Sequence, residues 1–289
     1  MDLIEFTSEP IETKNVNGKT IYIFEKDSKN QIIEDFGKEW STFHAFDENE
    51  LQKIGDEYFD LFDKEIWKDK VAIDFGGGTG RWTKYIAPYF KKVYLIEPSE
   101  AIYHATKVLH QEENVVFIKS TIEECPLPNN SFEFAMSLGV LHHIENTEYA
   151  LQKIKEKIKP NGTFYFYFYH NLESYGIPKK LIFSLVDLFR KLISKLPYRI
   201  KKLVCNAIGL FIYLPLARIS KITKLNLPLS YYSNKSLYIM QNDALDRFGT
   251  KLEKRYSKKA LLALLEETKF SDIEFSKGTP FYHGKCQSE

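Results

Sequence analysis

The sequence predicts an open, doubly wound α/β fold, and three observations predict it. Short apolar strands alternate with amphipathic helices through the middle of the chain and again near its end. The run Asp74-Phe75-Gly76-Gly77-Gly78-Thr79-Gly80 stands where an apolar strand, 71–73, gives way to a helix with Trp82, Tyr85, Ile86 and Tyr89 at helical spacing. The next strand, 92–96, ends in Glu97, about twenty residues beyond the loop's start, where a nucleoside site in such a sheet needs a carboxylate for the ribose hydroxyls.

Residues 1–46 read as an extension ahead of the sheet. Within it 20–24 is strand-like, and Asn17-Gly18 has the turn chemistry to pair it with 11–16 as a hairpin. Asp47 can cap a helix reaching about Phe62, with Leu51, Ile54, Tyr58, Leu61 and Phe62 on its buried side. After the glycine loop come strand 92–96, helix 99–110, strands 115–118 and 132–137, and helix 147–158, closed by Pro160-Asn161-Gly162. Residues 163–169, Thr-Phe-Tyr-Phe-Tyr-Phe-Tyr, alternate as a strand too aromatic to lie uncovered. The alternation then stops, and 177–240 reads as a helical, hydrophobic and basic insertion. It resumes with helix 257–268 and strands 272–276 and 279–286, so that 47–176 and 241–289 form one core around the insertion.

With 289 residues, 44% of them hydrophobic, the chain can bury a full core. Its opening residues have neither a basic nor an apolar run of a secretory signal, which predicts a cytoplasmic protein. Cys125, Cys205 and Cys286 are odd in number and widely spaced, which predicts reduced thiols, not a disulfide framework or a zinc site. The net charge of +1 hides an asymmetry: residues 178–227 carry eleven cations against Asp187, their only acid.

The dinucleotide spacing G-x-G-x-x-G fails in both registers, with Arg81 or Thr83 in the third glycine position. The pattern D-x-G-x-G-x-G, filled by Asp74, Gly76, Gly78 and Gly80, resembles motif I of the class I S-adenosylmethionine-dependent methyltransferases. A second match, Gly139-Val140-Leu141-His142-His143-Ile144 after the fourth strand, resembles the post-strand motif of that family's small-molecule branch. More loosely, 36–43 resembles a segment preceding the fold in many bacterial members. The resemblance covers 51–170 and 257–286. It implies a Rossmann-like, seven-stranded sheet with an antiparallel last strand, and S-adenosylmethionine as cofactor with S-adenosylhomocysteine as product. It places Asp74 near the methionine amino group and lines the cofactor with Phe75, Gly76, Gly77, Gly78 and Gly80. It sets Glu97 at the ribose, with Pro98, Thr121 and Ile122 near the adenine and Ser137 and Leu138 at the end of the fourth strand. Thr121 stands where the family often has Asp, which leaves the adenine amino group to the Thr121 hydroxyl, to Glu123 or to backbone.

His142 and His143 follow a strand end where cofactor and acceptor meet in this fold, so either can serve as general base or can orient the loop. His170, at the end of the aromatic strand, competes for the base role. Neither a [DN]-P-P-[YF] run nor a Pro-Cys nucleophile is present, which argues against a nucleic-acid acceptor, and no metal-binding spacing is found. The basic insertion admits three readings: a lid or dimer surface, a peripheral membrane surface through 178–227 on the inner face, or a site for a phosphorylated or lipid-linked acceptor. The resemblance therefore implies methyl transfer to a small-molecule acceptor, foremost O-methylation of a sugar or glycan precursor. Two alternatives stand beside it: a membrane-associated lipid or quinone methyltransferase, and a non-catalytic S-adenosylmethionine-binding protein.

Overall fold

The computed structural model describes residues 4–25, 48–171, 186–225, 227–278 and 282–289. The 36–43 peptide, Asp47 and His44 lie outside them. The chain divides into two compact units, Met1–Glu173 with Leu252–Glu289, and Ser174–Lys251.

The first unit is built on one sheet. In chain order its strands are β1 (Glu12–Val16), β2 (Lys19–Ile23), β3 (Val71–Phe75), β4 (Lys92–Ile96), β5 (Val115–Lys119), β6 (Phe132–Leu138), β7 (Ile158–Tyr167), β8 (Phe270–Phe275) and β9 (His283–Ser288). They lie side by side as β1-β2-β5-β4-β3-β6-β7-β9-β8. The run from β2 to β7 is parallel throughout, while β9 lies antiparallel between β7 and β8. The seven strands from β5 to β8 are the predicted sheet with its antiparallel last strand, and two more extend it. The amino-terminal segment supplies them: β1 and β2 turn at Asn17 and Gly18, both with positive φ, and β2 then pairs with β5. Chain succession reverses direction beside β3, since β4 lies on one side of it and β6 on the other. A crevice at the carboxyl ends of these strands is where ligands enter such sheets.

Strand alternation assigns the two faces of β7. Phe164, Phe166 and Phe168 belong to the larger core, together with Ile73, Phe75, Leu151, Leu261, Leu265 and Phe270. Tyr165 and Tyr167 point the other way, where Phe59 stacks on Tyr165 at 5.2 Å and Tyr58 meets Tyr167 at 5.3 Å. Tyr58 ends helix α1 (Glu48–Tyr58), and α2 (Arg81–Ile86) follows the glycine loop with Trp82 4.4 Å from Tyr58. Helices α3 (Ala101–Val108) and α4 (Thr147–Lys157) complete the crossovers. Pro160-Asn161-Gly162 does not close α4, which ends at Lys157. Instead the chain enters β7 at once, and the tripeptide bulges between the pairs Phe132–Ile158 and Phe134–Thr163, with Asn161 at φ 61°.

In the second unit α5 (Tyr198–Ile208), a wide π turn (Gly209–Tyr213) and α6 (Leu214–Thr223) form one continuous helix. The π turn precedes Pro215, whose missing N–H and ring a regular α turn would not accommodate. Lys201, Cys205, Gly209, Tyr213, Ala217 and Ser220 form its buried stripe. Helix α7 (Leu237–Gly249), capped by Ser236, packs along α5 and the π turn. Because α7 belongs to this unit, the boundary falls at Leu252 and not at 241 as the hydropathy change suggests. The chain re-enters the first unit before α8 (Lys258–Glu267).

Candidate functional site

The carboxyl ends of β3, β4, β5 and β6 bring most of the predicted cofactor residues together. Asp74 pairs in register with Leu95 of β4 and Met136 of β6, so its side chain stands at the centre of the sheet, buried. Thr83 of α2 donates its hydroxyl to Asp74 Oδ2 at 2.6 Å. Burial raises the Asp74 carboxyl to about 7; the Thr83 hydrogen bond opposes that rise and the charge of Glu97 adds to it.

The loop between them is shaped by glycine. The N–H groups of Gly76 and Gly77 both donate to the Ile96 carbonyl, at 2.8 and 3.1 Å, which ties the loop to the end of β4. Gly80, at φ 80°, has no room for a side chain, since a Cβ would lie 2.5 Å from Leu109. Gly78, at φ 55°, instead faces open space. Its N–H donates to Glu97 Oε2 at 2.9 Å, while the Ser99 N–H donates to Oε1 at the same distance. Glu97 is buried, and burial raises its carboxyl above the usual range against these hydrogen bonds. The two acids thus flank one loop, one at either side of its open glycine.

The remaining predicted residues divide. The Phe75 ring belongs to the core, and only its carbonyl reaches the edge, accepting from Ser137 Oγ at 3.1 Å. Ser137 is therefore a brace between β3 and β6. Leu138 is buried at the strand end and Pro98 is half-buried beside Glu97. Thr121 is half-buried, its hydroxyl accepting from the Glu124 N–H at 3.2 Å, and Ile122 packs into the core cluster.

His142 and His143 sit in a 3-10 turn (Leu141–His143), both buried, with ring centroids 4.1 Å apart. His143 Nδ1 lies 2.7 Å from the Leu252 carbonyl, an acceptor only, which fixes the proton on Nδ1 and makes Nε2 the basic nitrogen of the neutral ring. His142 stacks on Tyr169 at 3.8 Å. Burial first, then His143 and Arg255, hold its pKa well below the ordinary histidine value, so His142 is neutral at physiological pH. Its two ring nitrogens have no hydrogen-bond partner among the described residues. His170 does not join this pair. Alternation along the strand carries it to the other face with Phe168, and its ring meets Tyr282 at 5.6 Å. His283 is buried against Asp60 at 2.8 Å, far from the pair in role.

Two features escaped the sequence reading. One is a strap, 252–256, that clamps the histidine turn. Leu252 holds the His143 ring, the Lys254 N–H donates to the His142 carbonyl at 2.8 Å, and the Tyr256 N–H donates to the Tyr169 carbonyl at 2.9 Å. Arg255, paired with Glu253 at 2.7 Å, holds its guanidinium 5.6 Å from the Tyr169 ring. The other is Glu25, just past β2. The Phe24 N–H donates to the Lys119 carbonyl at 3.0 Å, which sets Glu25 beside the end of β5, where the Thr121 backbone hydrogen-bonds its carboxyl. Its Oε2 is buried without a partner among the described residues. Burial, Glu124 and Glu123 raise its pKa. Neither feature has a motif; both follow from strand pairings between segments remote in sequence. Among the described residues no cluster of His, Cys, Asp and Glu is arranged to hold a metal ion.

Residues 73–166 match a family described as a methyltransferase domain. A probable S-adenosylmethionine-dependent methyltransferase of Saccharomyces cerevisiae is 30% identical over 117 residues, 39% of this chain and 40% of that protein. A tRNA (carboxymethyluridine(34)-5-O)-methyltransferase of Schizosaccharomyces pombe is 30% identical over 34% of this chain and 40% of its own length. The chain thus spans less than half the length of these relatives. Among solved structures, human N-acetylserotonin methyltransferase in complex with S-adenosylmethionine superposes with a TM-score of 0.51 over 88% of this chain and 56% of that one, at 16% identity, a likeness of fold. The matched stretch spans the glycine loop, Glu97 and the histidine turn, so residues 73–166 carry a methyltransferase domain similar to that of S-adenosylmethionine-dependent methyltransferases.

Proposed function

We propose that this protein methylates a hydroxyl of a small-molecule acceptor, foremost a sugar or glycan precursor. The cofactor of the family, S-adenosylmethionine, fits the residues present: a backbone loop with open space at Gly78, and a buried carboxylate on either side of it. When bound, it supplies a sulfonium methyl that passes in line to the acceptor as S-adenosylhomocysteine departs. In this reading Asp74 takes the methionine ammonium and Glu97 the ribose hydroxyls. Glu25 takes the adenine amino group, its Oε2, without a partner among the described residues, standing in for the acid that Thr121 replaces. His143, with Nδ1 protonated, accepts the acceptor proton at Nε2 as the new C–O bond forms, while the strap keeps the ring oriented.

The observation that carries the acceptor class is the aromatic wall beside the histidines. Tyr58, Trp82, Tyr167 and Tyr169 gather on the Asp74 face of the sheet, offering flat faces for the C–H side of a sugar ring and phenols for its hydroxyls. The tRNA acceptor in one relative's name stays with that relative, because the match covers 34% of this chain and 40% of that protein. Calorimetric titration of S-adenosylhomocysteine and its inosine analogue, in which a carbonyl replaces the adenine amino group, tests the assignments. Glu97→Ala should weaken both ligands at least about tenfold through lost hydrogen bonds to a charged group. The wild type should prefer the adenine compound, and Glu25→Gln should narrow that preference. Unchanged affinity in Glu97→Ala removes the ribose assignment, and an unchanged preference in Glu25→Gln removes the adenine one.

A further inference from the structure

Fifteen large hydrophobic side chains are exposed among the described residues, and eleven of them lie between 188 and 225. Leu203, Phe211 and Ile222 are 70, 74 and 80% exposed, all on the long helix of the second unit. Exposed cations are interleaved with them, Lys195, Arg199, Lys221 and Lys224, inside the segment that carries eleven basic residues against one acid. Soluble surfaces rarely gather large apolar side chains and single-sign charge in one place.

We propose that this face docks on an anionic phospholipid bilayer. The exposed aliphatic and aromatic groups enter the boundary between headgroups and acyl chains, and the cations meet headgroup phosphates. The alternatives fit worse. A second copy of the chain would bring one strongly basic segment against another. A nucleic acid would satisfy the cations but leave Leu203, Phe211 and Ile222 without apolar partners. Spanning the membrane fails as well, although Tyr198–Thr223 is long and apolar enough by composition. Its longest uncharged run, 203–217, has fifteen residues where about twenty are needed, and its stripe from Lys201 to Ser220 is already buried in the unit. A helix with one face packed and the other apolar and basic lies along the surface.

The proposal does not rest on the methyl-donor site, so either can fail alone. The whole chain is sedimented with vesicles of phosphatidylcholine, and of phosphatidylcholine with phosphatidylglycerol. Binding should be about tenfold or more tighter to the anionic vesicles and should weaken as salt is raised. The double variant Phe211→Asp/Ile222→Asp, at exposed positions, should lose about tenfold in vesicle affinity with its melting temperature and its S-adenosylhomocysteine affinity kept. Lys195→Glu/Lys224→Glu should lose the preference for anionic vesicles and serves as the deciding variant if the first does not fold. Absence of vesicle binding, equal binding by the variants, displacement by tRNA in place of salt-sensitive vesicle binding, or a dimer in light scattering that Phe211→Asp/Ile222→Asp dissociates would each overturn it.

Discussion

Asp74 carries a charge balance that pH can read. Its carboxyl titrates near 7 in the folded chain against an ordinary value of 3.8. Between those values the folded state keeps a proton that the unfolded chain gives up, so this group stabilises the fold in acid, and its contribution is lost as pH rises through 7. A cationic ammonium in the site wants the opposite, an ionised Asp74. Affinity for S-adenosylhomocysteine should therefore rise about tenfold from pH 6 to pH 8 and then level off. Calorimetry of Asp74→Asn should show weaker binding without that dependence; an equally steep profile in the variant would assign the titration to another group. That Asp74, the glycines, Glu97 and the histidine turn gather at the carboxyl ends of the strands was legible from sequence, because each lies in a short stretch at the end of a strand. Glu25 was not, since only the pairing of β2 with β5 brings it beside Thr121, about a hundred residues away.

At the scale of elements, the glycine loop separates a position that holds the fold from one that faces open space. Gly80→Ala forces a left-handed conformation on alanine and drives its Cβ into Leu109, so a loss of about 3 kcal/mol and a marked fall in melting temperature are expected. Gly78→Ala meets no neighbour and should cost about 1 kcal/mol in stability, its larger effect being on cofactor affinity. Thermal melts of both variants check the order, and equal losses would mean that the Leu109 contact relaxes freely. The elements themselves were mostly readable, because period-2 and 3.6-residue patterns survive where one face is buried. Pro160-Asn161-Gly162 misled for a physical reason: the same residues that end helices also make bulges, and only the register against β6 distinguishes the two. The strand end at His170 is visible in sequence, while its face is set by counting from a known inward residue, which puts it with Phe168 and apart from His142 and His143.

At the scale of the whole chain, the second unit leaves and rejoins the first at adjacent points. The Asn171 N–H donates to the Tyr256 carbonyl at 2.7 Å, so the chain ends flanking the insertion are already in contact. Replacing 174–251 with a short glycine-serine linker should give a protein that folds cooperatively and retains S-adenosylhomocysteine affinity within about threefold, since loop closure over so short a gap costs little. Calorimetric unfolding with and without ligand tests this, and failure to fold would mean that the first unit depends on the second. The extent of the insertion was visible in sequence as a block of charge, but its far boundary was not. Helix α7 is less basic than the rest and joins the unit through packing alone.

The position of β9 has a consequence for how the protein is made. It fits between β7 and β8 and covers the edge of β7, yet it follows β7 by more than a hundred residues. On a ribosome, at about 5–20 residues per second, the edge of β7 stays unpaired for on the order of ten seconds while the whole second unit is synthesised. An aromatic strand with an open edge is an aggregation hazard over that interval. The nascent chain is therefore exposed to chaperone capture at 163–169 until residue 288 has emerged, and β9, which follows β8 in the chain, is the strand that covers the edge of β7.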